Sequence, residues 1–330
     1  MNCSQPAKIT AVRSSVIYRI VKFIVIVVVA LIALVLLGLL FLWWSNRDIS
    51  AAELERLYGG DGLQYVMVDG VNLAYRTEGH GPPLVLIHSH FYTMRLWQPW
   101  VDALSDDFTV IRYDLTSHGL TGPDPSEDYS RARGAQLLNA LLDHLDVGRA
   151  SIAGSSTGGG LAWYYAAHFP ERVDKLILVN AAGLPGATNK YMEMELPGWF
   201  GYVLYLLPED IFKAFLQAPV VDKSLITDDK VREFHLMYRR QGNRMAEFKR
   251  MLAWERGDIT QDLAAITAPT LIMWGEENPQ LPASHAALFA EKLVNAPRVK
   301  QRVYPGVGHV IPLELPQQSA LDASAFLKEN

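Results

Sequence analysis

The residues best suited to chemistry are gathered in the turn Gly154-Ser155-Ser156-Thr157-Gly158. A serine hydroxyl becomes a nucleophile once a neighbouring base takes its proton, and Gly-x-Ser-x-Gly is the form of a nucleophile elbow. So tight a turn between a strand and a helix puts Ser156 at a strained backbone position. The positions two before and two after it must then be small, and both are glycine. The strain holds the Ser156 hydroxyl up at the sheet edge, above the start of the next helix. There the Thr157 N–H is free to stabilise a developing oxyanion. Gly- and Ser-rich turns also occur without chemistry, so the flanking elements carry the weight. Ser151-Ile152-Ala153 before the turn reads as a strand, the run to His168 as an amphipathic helix, and Lys175–Asn180 as the next strand.

The chain has 330 residues and a formal charge of −5. Length alone suggests about two domains, and the charge gives no sign of a nucleic-acid partner. Cys3 is the single cysteine, so no intrachain disulfide can form. Residues Phe23 to Trp44 are apolar and uncharged, long enough at about 1.5 Å per residue to cross a hydrocarbon core of about 30 Å. Lys8, Arg13, Arg19 and Lys22 precede the run without an acidic residue, whereas the charges after it are mixed. The positive-inside rule then places the N-terminus in the cytoplasm and the remainder on the periplasmic or extracellular side of the cell membrane. A cleavable signal peptide is the alternative, but its apolar core is about 7–15 residues and a small-x-small site should follow. Trp44-Ser45-Asn46-Arg47 offers none.

Beyond the apolar run, Ser50 caps a short polar helix that ends at Gly59-Gly60. Tyr65–Val68 and Leu73–Thr77 alternate around Asp69-Gly70 as a hairpin. Leu84-Val85-Leu86-Ile87 is a continuous apolar run suited to a buried parallel strand. Ala135–Leu145 carries leucines at helical spacing. Between Ala182 and Leu263 the pattern changes to amphipathic helices rich in aromatics, methionine and proline. Met192, Met194, Trp199, Phe200, Tyr202, Tyr205, Phe212 and Phe215 could line a cleft there or pack the segment onto the core. His88 and His90 form a His-x-His pair, but no further ligand cluster is apparent, so neither metal nor cofactor is expected.

Taken together, several ordered motifs resemble the α/β-hydrolase family over about residues 65–328. They are His88-Ser89-His90, the segment Asp114-Leu115-Thr116-Ser117-His118-Gly119-Leu120-Thr121-Gly122-Pro123, the elbow, the run Phe169 to Asn180, and Gly308-His309. The resemblance implies a mostly parallel eight-stranded α/β sheet with helices on both faces and a helical cap. The corresponding division is a cytoplasmic segment 1–22, a membrane anchor 23–44, a stalk 45–62, a core 63–183 and 264–330, and a cap 184–263. It also implies Ser156 as nucleophile, His309 as base, and the backbone N–H groups of His90 and Thr157 as oxyanion donors. Ser89 and Ser117 stand where the family carries glycine, and both they and His118 read as turn residues. Glu314 reads as a cap of the final helix.

The third catalytic member departs from the family pattern. Gly275-Glu276-Glu277-Asn278 puts Asn278 at the family's aspartate position, and the other acid position, Asn180-Ala181-Ala182, has no carboxylate either. Glu277, one methylene longer than aspartate and adjacent to the position, is the expected partner of His309, with Asn278 secondary. The expected function is a membrane-anchored serine hydrolase acting on an ester or related acyl bond of a small hydrophobic molecule. The alternative is a fold relative that binds a ligand or partner without catalysis. The oligomeric state is not legible in the sequence.

Overall fold

A computed structural model describes residues 6–185, 196–253, 255 and 257–329. Met192 and Met194 therefore lie outside the described residues. The chain divides into two compact units, Met1–Arg47 and Asp48–Asn330. Among the described residues, the first holds one long helix, α1 (Pro6–Ser45). Its stretch Tyr18–Ser45 is long and apolar enough to cross a membrane. Side chains such as Phe23, Leu34 and Phe41 are exposed on it.

The second unit opens with α2 (Ala51–Tyr58), whose N-cap Ser50 accepts a hydrogen bond from the Glu53 N–H. Residues 45–62 were expected to form a stalk, and from Asp48 onward the structure corrects that expectation. The Ile49 N–H donates to the Arg239 carbonyl at 2.9 Å, and the Gln241 N–H donates to Ile49 at 2.8 Å. Asp48 pairs with buried Arg244, and Leu54 is fully buried among Ala74, Met94, Leu120 and Met237. The segment docks because its apolar and acidic residues find partners; a solvated spacer would have left them exposed.

Among the described residues, eight strands form one sheet in the order β1-β2-β4-β3-β5-β6-β7-β8. They are β1 (Gln64–Val68), β2 (Val71–Glu78), β3 (Pro83–Ile87), β4 (Thr109–Tyr113), β5 (Ala150–Ser155), β6 (Val173–Val179), β7 (Thr270–Gly275) and β8 (Val299–Tyr304). β1 pairs antiparallel with β2, and β2 with β4; every other pairing is parallel. Parallel strands need crossovers, and the apolar runs of β3, β5, β6 and β7 are buried because helices cover both faces.

Two apolar clusters fill the two sides of the sheet. On one, α4 (Arg131–His144) presents Leu137, Leu138, Leu141 and Leu142 beside α5 (Thr157–His168). On the other, α3 (Gln98–Leu104) places Trp100 against the C-terminal helix, where its indole N–H donates to Ser319 at 2.9 Å. Between β6 and β7 the described part of the insertion holds a 3₁₀ segment (Gly198–Leu206), α6 (Glu209–Gln217), α7 (Asp228–Tyr238), α8 (Asn243–Leu252) and α9 (Thr260–Ala265). After β7 come α10 (Ser284–Lys292), then α11 (Ile311–Glu314) and α12 (Pro316–Lys328) beyond β8.

Chain order reverses at β3, which lies between β4 and β5. Crevices open beyond the carboxyl ends of strands at such a switch point. The loops after β3, β4, β5, β6, β7 and β8 carry His90, His118, Ser156, Asn180, Asn278 and His309 respectively. The parallel pairing brings all six loops to one edge.

Candidate active site

Ser156 sits between β5 and α5 with φ 53° and ψ −114°, a conformation that costs a non-glycine residue of the order of 1–3 kcal/mol. Neighbouring bonds impose it. The Ser156 N–H donates to the Val179 carbonyl at 2.9 Å, and the Ser156 carbonyl accepts from Gly160 and Ala182, both at 2.9 Å. The elbow glycines have a steric reason: a Cβ at 154 would stand 2.2 Å from the Gly158 oxygen, and one at 158 would stand 2.3 Å from the Ile87 oxygen. The elbow therefore closes only with glycine at both positions.

The Ser156 Oγ lies 2.9 Å from His309 Nε2. On the other side of the ring, Nδ1 is 3.1 Å from the Asn278 Oδ1. That oxygen also accepts from the Gln280 and Leu281 backbone N–H groups, each at 3.0 Å. Two N–H donors fix which end of the amide faces the ring, because its NH2 group cannot accept them. His309 must then donate from Nδ1, leaving the Nε2 lone pair aimed at the Ser156 hydroxyl. This tautomer can remove the serine proton.

The acid expectation is corrected by this geometry. Glu277 is exposed, whereas Asn278 is buried against the imidazole. The Glu277 N–H donates to the Val307 carbonyl at 3.0 Å, and the Asn278 N–H turns back to Gly275 at 3.4 Å. These bonds set the loop path so that residue 278 alone meets the ring.

Sequence reasoning missed two residues that hold the His309 loop. Glu314 does not cap the final helix; its carboxylate accepts from the Gly308, Val310 and Val221 N–H groups, each at 2.9 Å. Buried Asn180 donates from Nδ2 to the His309 carbonyl at 2.7 Å and accepts the Gly275 N–H at 3.0 Å. A Gly-His-x-x-x-x-Glu spacing was visible, but contacts between separate loops are not written in local spacing.

The proposed oxyanion donors belong to the same edge. Thr157 opens α5, and His90 lies on the loop after β3, just before Phe91 with its φ of 65°. The loop stands on Asp114, whose carboxylate accepts from the Met94 and Leu120 N–H groups, both at 2.7 Å. Burial pushes that carboxyl up, against these two bonds. His88 is fully buried, donates from Nδ1 to Ser89 at 2.9 Å and accepts the Leu115 N–H at 3.0 Å. Ser117 keeps the left-handed backbone expected of a glycine, φ 69°, and its hydroxyl donates to Glu247 of α8 at 3.0 Å.

The suggested cleft residues separate into different environments. Phe212 is fully buried and packs on Phe91 and Tyr238, with ring centroids 5.8 and 5.2 Å away. Phe215 stacks on Phe91, whereas Trp199 and Tyr202 are exposed. A cavity beside Thr157 is lined by Leu115, Thr116, Tyr129, Leu161 and Arg250.

Burial lowers several histidines: His309 to about 4, His88 to about 3 and His235 to about 4. Each is therefore neutral at pH 7 in the folded chain, whereas the unfolded reference is about 6.5. As pH falls from about 6.5 toward 4, the unfolded chain binds protons that these sites refuse. Stability is present above the unfolded value and is lost on acidification, by up to about 1.4 kcal/mol per pH unit for each such histidine. Asp114, raised by burial, opposes the trend at its lower end. Chemical denaturation of the intact chain should show a falling unfolding free energy from pH 7 to pH 4.5; a flat profile would contradict these neutral histidines.

An eight-stranded sheet with a serine elbow, a loop-borne histidine and an inserted cap defines one class of protein. The chain belongs to the alpha/beta hydrolase fold family, whose profile matches residues 82–316, and it is an α/β-fold hydrolase. It is 31% identical over 261 residues to an uncharacterized protein of Mycobacterium tuberculosis, covering 75% of each chain. It is 28% identical over 221 residues to a poly(3-hydroxyalkanoate) depolymerase of Ectopseudomonas oleovorans, covering 66% of this chain and 75% of that one. A solved hydrolase from Pseudomonas aeruginosa PA01 superposes with a TM-score of 0.68 at 28% identity, over 82% of this chain and 100% of the other.

Proposed function

We propose that the chain is a membrane-anchored serine hydrolase that cleaves an ester or related acyl bond of a small hydrophobic substrate. The observation that carries this is the 2.9 Å approach of the strained Ser156 hydroxyl to a histidine nitrogen with a free lone pair. Ser156 Oγ attacks the acyl carbon while His309 Nε2 takes its proton. The N–H groups of His90 and Thr157 hold the oxyanion that forms. Collapse expels the alcohol, which receives the proton from His309, and leaves an acyl-serine. Water, deprotonated by His309, then attacks the acyl carbon; collapse releases the acid, and His309 returns the proton to the departing Ser156 Oγ.

The apolar rings of Phe91, Phe212, Phe215 and Tyr238, packed together between the His90 loop and the cap, favour an apolar acyl or ring-bearing substrate. The named activity of the depolymerase relative, on a polyester, supports the ester reading. Anchoring rests on the apolar stretch Tyr18–Ser45 and on the basic, acid-free segment before it, which favours a cytoplasmic N-terminus. A binding protein without catalysis is the second reading, favoured only by an amide in place of a carboxylate at position 278.

Turnover of p-nitrophenyl esters by the detergent-solubilised chain tests the reading, with an acyl-length series to define the substrate. Ester hydrolysis that stops after fluorophosphonate treatment is expected. No hydrolysis and no covalent label would leave the binding protein. In cells, a reporter active only in the cytoplasm, fused after residue 330, should stay silent; an active one reverses the orientation.

A further inference from the structure

Glu247, on α8 of the cap, reaches down between two histidines of the core loops. Its Oε1 is 2.9 Å from His90 Nδ1, and its Oε2 is 3.3 Å from His118 Nε2. Glu247 and His118 are buried, at 2% and 6% exposure. The three residues come from the loop after β3, the loop after β4 and a cap helix, so no sequence spacing relates them.

The proton positions make this arrangement unusual. His118 Nδ1 faces the Thr116 carbonyl at 3.1 Å and the Ser117 hydroxyl at 3.1 Å. A carbonyl only accepts, so Nδ1 carries the proton, and Nε2 of the neutral ring is a lone pair. That lone pair faces a carboxylate oxygen. His118 Nε2 is buried without a hydrogen-bond partner. Two acceptors held together away from water repel unless a cation lies between them.

We infer that His90, His118 and Glu247 form a divalent transition-metal site, best suited to zinc, that fastens the cap to the core. The donor set, two imidazoles and one carboxylate, is one zinc accepts, with a fourth position left for water or substrate. Zinc bonds of about 2.0–2.1 Å in a tetrahedron place ligand atoms about 3.4 Å apart. One ligand atom from each of the three residues lies within 4.8 Å of the others, and the two closest approaches, 2.9 and 3.3 Å, both fall just short of that spacing. The bond from His118 Nδ1 to a backbone carbonyl is the outer-shell contact that commonly orients a ligating imidazole. The Ser117 hydroxyl does the same for Glu247 at 3.0 Å.

Arg250 is the competing cation. It meets Glu247 Oε2 and His90 Nδ1 only at 3.4 Å each, and its side chain is partly exposed. It can turn to solvent when a metal ion neutralises the carboxylate. Removing it should therefore strengthen metal binding, the reverse of what a purely structural ion pair would do. Because His90 also lies on the loop proposed to supply an oxyanion N–H, the metal would hold that loop and the cap in one arrangement.

The test uses the full chain in detergent, stripped with a chelator and titrated with Zn²⁺ or Co²⁺. One equivalent should bind, with Co²⁺ giving visible ligand-field bands of a tetrahedral nitrogen–oxygen site. His118→Ala and Glu247→Gln should each weaken binding at least about 100-fold, and Arg250→Ala should tighten it. Fluorophosphonate labelling and circular dichroism report whether each variant is folded. If a variant is not, Zn²⁺ protection of His90 and His118 from diethylpyrocarbonate in the native chain decides instead. Absence of stoichiometric binding to the native chain, or binding unchanged in the folded variants, overturns the proposal. The metal readouts do not require hydrolysis, so they stand apart from the proposed activity.

Discussion

Replacing Ser156 with alanine is expected to abolish covalent labelling by a fluorophosphonate and to lower ester turnover by about 10⁴–10⁶-fold. The effect is large because members of a nucleophile–base unit act together, and removing the attacking atom leaves only binding and oxyanion stabilisation. Alanine removes the hydroxyl without changing the elbow, since the backbone bonds of residue 156 to Val179, Gly160 and Ala182 remain. Ser155→Ala supplies the control. The Ser155 Oγ is buried at the end of β5 with no hydrogen-bond partner, so that variant should keep both label and turnover. Equal labelling of the Ser156→Ala and native chains would move the nucleophile elsewhere and end this assignment.

Asn278→Ala should lower turnover by about 10²–10⁴-fold with little change in KM. In a serine-protease triad, changing the aspartate to asparagine costs about 10⁴-fold because the wrong imidazole tautomer results. Here the same amide acts in the opposite sense. The Gln280 and Leu281 N–H groups hold its oxygen toward His309, so the useful tautomer is retained and only the negative charge is missing. Alanine would remove the acceptor and release the ring.

The pH profile separates this arrangement from a carboxylate triad. His309 must be neutral to act as base, and burial lowers it to about 4 with no facing carboxylate to raise it. The acid limb of kcat/KM should therefore lie near pH 4–5, wherever circular dichroism shows the fold intact. Asn278→Asp supplies a charge that stabilises the imidazolium, so the limb should move up toward 6.5. Its gain at pH 7 should stay within about tenfold, because the second carboxylate oxygen would take the place of the Asn278 Nδ2, which is buried without a partner. Glu277→Gln, at an exposed position, should be silent. A limb unmoved in Asn278→Asp, or an orders-of-magnitude loss in Glu277→Gln, would show that residue 278 does not orient the base.

The elements that generate the sheet were legible because their patterns are local. A continuous apolar run marked β3, the strand patterns on either side of the elbow marked β5 and β6, leucine spacing marked α4, and the glycines around Ser156 marked the elbow, each for a steric or burial reason acting within a dozen residues. The same holds for the apolar stretch of α1, whose length follows from helical rise alone. What the linear pattern could not express is which side chains from distant loops meet. Residues 277 and 278 are neighbours with similar reach, and the choice between them came from the Val307 and Gly275 carbonyls that direct the loop. Glu314 was visible as an acid near a helix start, yet its three N–H donors come from the His309 loop and the cap. The expected stalk turned into a docked segment because Leu54 and Asp48 find partners more than a hundred residues away, in Met237 and Arg244. His88 and His90 hinted at a ligand pair, but Glu247 joins His90 and His118 only when α8 folds down over the core. Local periodicity and sterics thus determined the sheet, the elbow and the apolar helix α1, whereas hydrogen bonds between loops of one sheet edge decided the partners of His309.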